Sequence, residues 1–283
     1  MRRDTLRFMK MWLELVKLLK PPTPNFGDKL ISLLVCLITA ALAIPPSILK
    51  RKGIKECIFS IFPKLMPKDL LIEFQGVKFM ARRGKTDILI LNELSEPWMK
   101  RYFKPNKGDV VIDIGAHVGK YSLPAAKLVG ENGKVIAIEA HPENFKALQT
   151  NILLNGFKNI IALNIAAFNQ DNKKLLLSGS SDTDFSLKSN LKKNSFEVET
   201  RTIDSLLREI GVEKVDWVKI DVEGAEVEVL EGMKNVIYNS RPRILIEVWR
   251  ENERRVKELL KCLKRKNVIH IYPKYKVWYL CKE

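Results

Sequence analysis

Two strings of residues carry most of the chemistry open to this sequence. The first runs Asp113-Ile114-Gly115-Ala116-His117-Val118-Gly119-Lys120-Tyr121 and follows the apolar run Val110–Ile114. Gly115 and Gly119 allow a tight turn and a close backbone approach to a ligand, and the helix that follows offers unpaired N–H groups at its start. A dinucleotide fingerprint would place glycine where Asp113 stands. A carboxylate there repels a pyrophosphate but suits a ligand whose amino-acid end carries an ammonium, as S-adenosylmethionine does. A second acid, Glu139, lies 26 residues on and closes the run Lys134–Ile138. At the end of a neighbouring strand it can accept hydrogen bonds from both ribose hydroxyls.

The second string is Lys219-Ile220-Asp221-Val222-Glu223-Gly224-Ala225-Glu226, with three carboxylates within six residues. Three acids at one strand end are solvated, metal-bound or catalytic. Glu226 falls in a first helical turn, where the helix dipole favours it, so its reading is structural. Glu247 closes the strand Arg243–Trp249 beside the same crevice. The residues expected to hold S-adenosyl-L-methionine are therefore Asp113, Gly115, His117, Gly119, Tyr121, Glu139 and Asp221. Transfer to a hydroxyl needs a base near the methyl, and the candidates, in order, are Asp221, Glu223, His117 and Glu247. Asp221, Glu223 and Glu247 could also gather around a magnesium ion. No His-containing ligand set supports a transition metal, and no metal is assigned.

The elements that must position these groups alternate. After the first strand come a helix over 120–129, the strand 134–138, a helix from Pro142 to Asn155 (proline suits a first turn) and a strand over 159–164. The strand 215–220 leads into a helix from about Ala225 to Asn239. This order predicts a right-handed, mainly parallel sheet with ligands at the strand C-termini. Residues 173–202 interrupt it with two strands, near 175–177 and 196–202, around the polar loop 178–184. That insertion is either an exposed hairpin or a cover over the cofactor end that shapes the acceptor pocket.

These strings resemble the FkbM family of methyltransferases. The resemblance rests on Asp113 to Gly119, Glu139-Ala140-His141-Pro142, Thr202-Ile203-Asp204-Ser205-Leu206, Lys219 to Glu226 and Ile246-Glu247-Val248, about 140 residues in the family's order. It implies a seven-stranded Rossmann-like α/β domain with helices on both faces that uses S-adenosylmethionine, usually to methylate a hydroxyl oxygen. His117 departs from the family, which usually carries Asn there.

The 283 residues carry 49 Lys and Arg against 33 Asp and Glu. The excess is uneven: residues 1–107 hold 21 basic and 9 acidic side chains, residues 108–283 hold 28 and 24. Residues 1–68 read as a basic, apolar helical extension, 69–107 as a hairpin around Gln75-Gly76 and a helix over 88–102, and 108–283 as the Rossmann-like domain. Within the extension, Leu6–Leu19 has the spacing of a basic amphipathic helix. Leu30–Leu49 is uncharged over 20 residues, but Pro45-Pro46 leaves only about 22 Å of unbroken helix. Two readings stand for 6–49: membrane association, or a cap packed on the catalytic domain. If the segment spans, Lys50, Arg51, Lys52 and Lys55 favour a cytoplasmic catalytic domain. Cys36, Cys57, Cys262 and Cys281 are scattered, which argues against zinc and against a disulfide-stapled domain. The expected partner is a small-molecule or glycan hydroxyl acceptor. An RNA methyltransferase is the second reading, on the overall charge and on Arg254, Arg255, Lys257, Lys261, Lys264, Arg265 and Lys266. The near-neutral core and the lack of an RNA-binding motif speak against nucleic acid. The third reading is a membrane-tethered binding protein without activity, which the intact set of acids opposes.

Overall fold

A computed structural model of the chain describes residues 64, 66, 68–91, 96, 99–179, 183, 185–187, 195–262, 267–272 and 276–282. The two N-terminal helices expected within 6–49 lie outside the described residues, as do Lys264, Arg265 and Lys266. Among the described residues no helix is long and apolar enough to cross a membrane. The chain divides into two compact units between Pro97 and Trp98.

In the first unit, β1 (Leu70–Phe74) and β2 (Val77–Ala81) pair antiparallel as the expected hairpin. Gln75 and Gly76 both take positive φ, 54° and 70°, the backbone of a two-residue hairpin turn whose twist matches its strands. Leu70 and Ala81 pack with Met66, Ile88 and Leu89. Arg82 grips the buried Asp87 carboxylate with two side-chain N–H groups, at 2.7 and 2.8 Å. The single helix expected over 88–102 is instead two short ones, α1 (Asp87–Ile90) and α2 (Met99–Tyr102), the latter in the second unit. Pro97 lacks an N–H and disfavours helical backbone at Glu96.

The second unit is built on a seven-stranded sheet in the order β11-β12-β10-β9-β3-β4-β5. The strands are β3 (Val110–Ile114), β4 (Lys134–Ile138), β5 (Ile160–Leu163), β9 (Trp217–Ile220), β10 (Arg243–Trp249), β11 (Asn267–Tyr272) and β12 (Lys276–Lys282). All run in one sense except β12, which is antiparallel to both neighbours. The chain runs outward from β3 through β4 to β5 on one side and from β9 to β10 on the other, where β12 then inserts between β10 and the edge strand β11. The order therefore reverses between β3 and β9, where open α/β sheets bind ligands.

Alternation along the strands separates two faces. Ile112, Ile114, Ile136, Ile138, Val218, Ile220, Ile244 and Ile246 share a core with α5 (Ile203–Glu209), α6 (Glu226–Glu231), α7 (Lys234–Ser240) and α8 (Glu253–Cys262). Each such side chain taken from water contributes about 1.5–3 kcal/mol. Val111, Asp113, Ala137 and Lys219 alternate with these and lie on the opposite face. There α3 (Ser122–Val129) begins with Ser122 bonded to Asp113. The helix α4 (Pro142–Asn155) has the expected bounds, and α3 starts two residues later than expected.

The helix expected over 225–239 is broken into α6 and α7 at Gly232-Met233. A Cβ at Gly232 would lie 2.0 Å from the Phe168 carbonyl oxygen. The Asp204 carboxylate accepts from the N–H groups of Asn235 and Val236 at 3.1 and 3.0 Å, which caps α7. The insertion folds as a three-stranded sheet in the order β6-β8-β7 (β6 Ala166–Ala167, β7 Lys174–Ser178, β8 Ser195–Arg201).

Candidate active site

Where the sheet order reverses, β3 and β9 deliver their C-termini side by side. Asp113 is fully buried; its Oδ2 accepts from the Ser122 hydroxyl at 2.6 Å and its Oδ1 lies 3.3 Å from the Lys219 Nζ. Burial pushes this carboxyl above its ordinary range, although the Lys219 ammonium and Ser122 pull it down. The charge that the sequence matches to a ligand's ammonium is met inside the protein. Gly115, at φ 76°, is pressed against β9, where a Cβ would sit 1.8 Å from the Asp221 carbonyl oxygen. Gly119, at φ 95°, is pressed against Leu123 and Leu148. The close approaches that require these glycines are thus to the protein itself, and they fix the loop's path.

His117 stands at φ 52°, a left-handed backbone that Asn, Asp and His adopt more readily than other side-chain residues. Its N–H donates to Glu139 Oε2 at 2.7 Å, and the His141 N–H donates to Glu139 Oε1 at 2.8 Å. Both carboxylate oxygens are thereby aimed, and each keeps a further lone pair for a hydroxyl. Burial raises the Glu139 carboxyl against the nearby His117 and the two N–H donors. The His141 Nδ1 accepts from the Glu143 and Asn144 N–H groups, capping α4. Phe185 and Phe196 of the insertion stand edge-on to its ring, at 4.1 and 4.6 Å between centroids. Tyr121 is buried, its ring 5.3 Å from that of Phe103 and 5.1 Å from the Lys219 Nζ.

The loop after β9 distributes its acids unequally. Asp221 leaves its carboxylate 29% exposed, 3.7 Å from Lys219. The strand does not continue to Glu223: that residue takes φ 49° and its Oε2 accepts from the Trp249 indole N–H at 3.1 Å. The Ser186 hydroxyl of the insertion donates to the Glu223 carbonyl oxygen, so the insertion meets this loop as well as His141. Glu226 is fully buried; its carboxylate accepts from the Gly224 N–H at 2.8 Å and from Asn252 Nδ2. Burial raises its carboxyl. Register places Glu247 beside Asp221 and on the same face, since Ile246 pairs with Ile220. Among the described residues no three His, Cys, Asp or Glu gather as a metal-holding group. The grouping of Asp221, Glu223 and Glu247 around magnesium is therefore not formed.

A family model for the methyltransferase FkbM domain matches residues 113–267. The chain belongs to the FkbM methyltransferase family. Methyltransferase sdnD of Sordaria araneosa is 25% identical over 171 residues, 49% of this chain and 66% of that protein. The tRNA (guanine(37)-N(1))-methyltransferase of Saccharomyces cerevisiae is 38% identical over 76 residues, 27% of this chain and 13% of that protein. The chain thus spans less than two thirds of either relative. Among solved structures, methyltransferase FkbM from Methylobacillus flagellatus KT has a TM-score of 0.47 at 16% identity, covering 69% of this chain and 53% of that one.

Residues 113–267 are thus a methyltransferase FkbM domain, and the methyl donor expected for it is S-adenosylmethionine. Its residues fit that donor: Glu139 presents two aimed, buried oxygens with acceptor capacity left over for hydroxyls. When bound, S-adenosylmethionine supplies an electrophilic methyl group. One residue of the site escaped the sequence reading of individual roles. Lys219 donates to the Gly115 carbonyl oxygen at 2.8 Å and reaches both Asp113 and Asp221. The signal was a lysine in the otherwise apolar strand Trp217–Ile220, level with Asp113.

Proposed function

We propose that this methyltransferase O-methylates an uncharged hydroxyl of a carbohydrate, a lipid-linked glycan or another small molecule, with Asp221 as the base. The observation that carries the reading is the state of the acids. Glu226 is buried and bonded, both oxygens of Glu139 hold backbone N–H groups, and Glu223 holds the Trp249 indole. Asp221 is 29% exposed, with the Lys219 ammonium 3.7 Å away. A part-exposed carboxylate can take a hydroxyl proton as the oxygen attacks. Attack needs alignment above all, and Gly115, His117, Gly119, Tyr121 and Glu139 would hold the donor, with Asp113 fixing their loop. Glu223, His117 and Glu247 follow Asp221 as candidates for the proton.

Glu139, Asp221, Glu223 and Glu247 give the strand ends an acidic lining, which suits a neutral acceptor better than a phosphate-rich one. The basic segment 6–49 would bring the catalytic domain to an anionic membrane face, where lipid-linked acceptors reside. The test supplies labelled S-adenosylmethionine and the full-length protein to extracts of cells lacking the gene. Label should enter glycan or lipid ethers and be lost with Asp221→Asn. Label confined to RNA or protein would overturn the reading.

A further inference from the structure

Lys219 is 98% hidden from solvent, on a strand whose other members are apolar. An ammonium in such a place must be paired to remain charged. A buried ion pair by itself is no better than apolar packing, so the Asp113 partner alone does not account for the lysine. A second contact lies elsewhere, a shorter 2.8 Å hydrogen bond to the Gly115 carbonyl oxygen in the loop after β3. A third contact reaches Asp221 Oδ2 at 3.7 Å on the next loop, and the Tyr121 ring lies under the same nitrogen at 5.1 Å. One cation thus ties the D-x-G loop to the end of β9, at the point where the sheet order reverses.

We propose that Lys219 is a positioning residue for the methionine half of S-adenosylmethionine, setting the Gly115 carbonyl of the loop after β3 through its ammonium. The proposal rests on the reading that the loop after β3 takes that half while Glu139 takes the ribose. The Glu139 carboxylate is held by the His117 and His141 N–H groups, and Lys219 acts on it only as a weaker, more distant charge. Its loss should therefore act on one half of the ligand.

The test compares S-adenosylhomocysteine with 5′-methylthioadenosine, which lacks the amino-acid end, by calorimetry on the full-length protein. Lys219→Met should weaken S-adenosylhomocysteine by roughly 10- to 100-fold, the worth of a hydrogen bond to a charged group, and leave methylthioadenosine nearly unchanged. Because Lys219→Met strands a buried carboxylate, the double variant Lys219→Met/Asp113→Asn is measured beside it and should show the same selective loss. Equal weakening of both ligands, full S-adenosylhomocysteine affinity in the double variant, or a double variant that does not fold would each overturn the proposal, leaving Lys219 a structural charge partner. Wild-type protein that binds neither ligand would overturn the underlying reading of the loop as well.

Discussion

The ends of β3 and β4 and the end of β9 are built from the same acids to different plans. At β3 and β4, Asp113 and Glu139 are buried and every carboxylate oxygen is aimed by a neighbour within the protein. At β9, Asp221 remains part-exposed and Glu223 sits in a left-handed turn held by Trp249 and Ser186. A donor site that serves one ligand rewards fixed geometry, since groups already in place need no reorganisation. An acceptor site needs a proton-accepting group that stays accessible. On the proposed assignment, β3 and β4 hold the donor and the end of β9 meets the acceptor, which accounts for a cofactor more legible in the chain than its acceptor.

Breaking the β9 side should cost the most turnover. Asp221→Asn is expected to lower methyl transfer by about 10²–10⁴-fold, the usual worth of a positioned base, while S-adenosylhomocysteine affinity holds within a few-fold. Turnover near that of wild type in a radiolabel assay removes Asp221 from the chemistry. The seam between the two regions should be the most fragile part of the fold. Gly115→Ala puts a methyl 1.8 Å from the Asp221 carbonyl oxygen at positive φ, and strain plus overpacking should cost about 2–5 kcal/mol. Urea unfolding measures it, and a loss under about 1 kcal/mol means the two loops are not held together as described.

On the donor side, Glu139→Gln replaces one acceptor oxygen by an amide facing a backbone N–H. Cofactor affinity should fall about 10- to 100-fold with turnover at saturating cofactor less affected; a larger effect on turnover than on affinity would assign Glu139 to the other region. The same carboxyl predicts a pH effect of defined sign. Burial raises Glu139 above its ordinary 4.5, and hydroxyls donate to its charged form, so affinity should decline on acidification with a midpoint above 4.5. Stability runs the opposite way for the raised carboxyls of Asp113, Glu139 and Glu226. Their contribution is full below the unfolded-state values and is lost as pH rises through the folded ones. Calorimetry and urea midpoints taken from about pH 7 to about pH 5 should therefore diverge. The smallest effect lies away from both regions: Arg254 pairs with Glu258 at 3.0 Å but is 92% exposed. Arg254→Ala should change stability by less than about 0.5 kcal/mol and leave cofactor affinity alone.

What the sequence made legible was local. The apolar runs ending in Asp113 and Glu139 became β3 and β4, and Pro142 opens α4 as a first-turn proline should. What it hid was set by contacts distant in the chain. The break between α6 and α7 comes from Asp204, some thirty residues upstream, and no helical periodicity reports it. The role of Lys219 depends on β9 lying beside β3, more than a hundred residues earlier. The left-handed turn at Glu223 redirects a side chain that strand alternation alone would have aimed to the same face as Asp221. The insertion's contacts with His141 and Glu223 favour a cover over these strand ends rather than an exposed hairpin.

Titration of S-adenosylhomocysteine into the purified full-length protein tests the central claim most directly, with thermal unfolding followed in parallel. The arrangement of Gly115, His117 and Glu139 predicts saturable one-site binding and a rise in unfolding temperature. Neither heat of binding nor thermal protection, for this product or for S-adenosylmethionine, would contradict it.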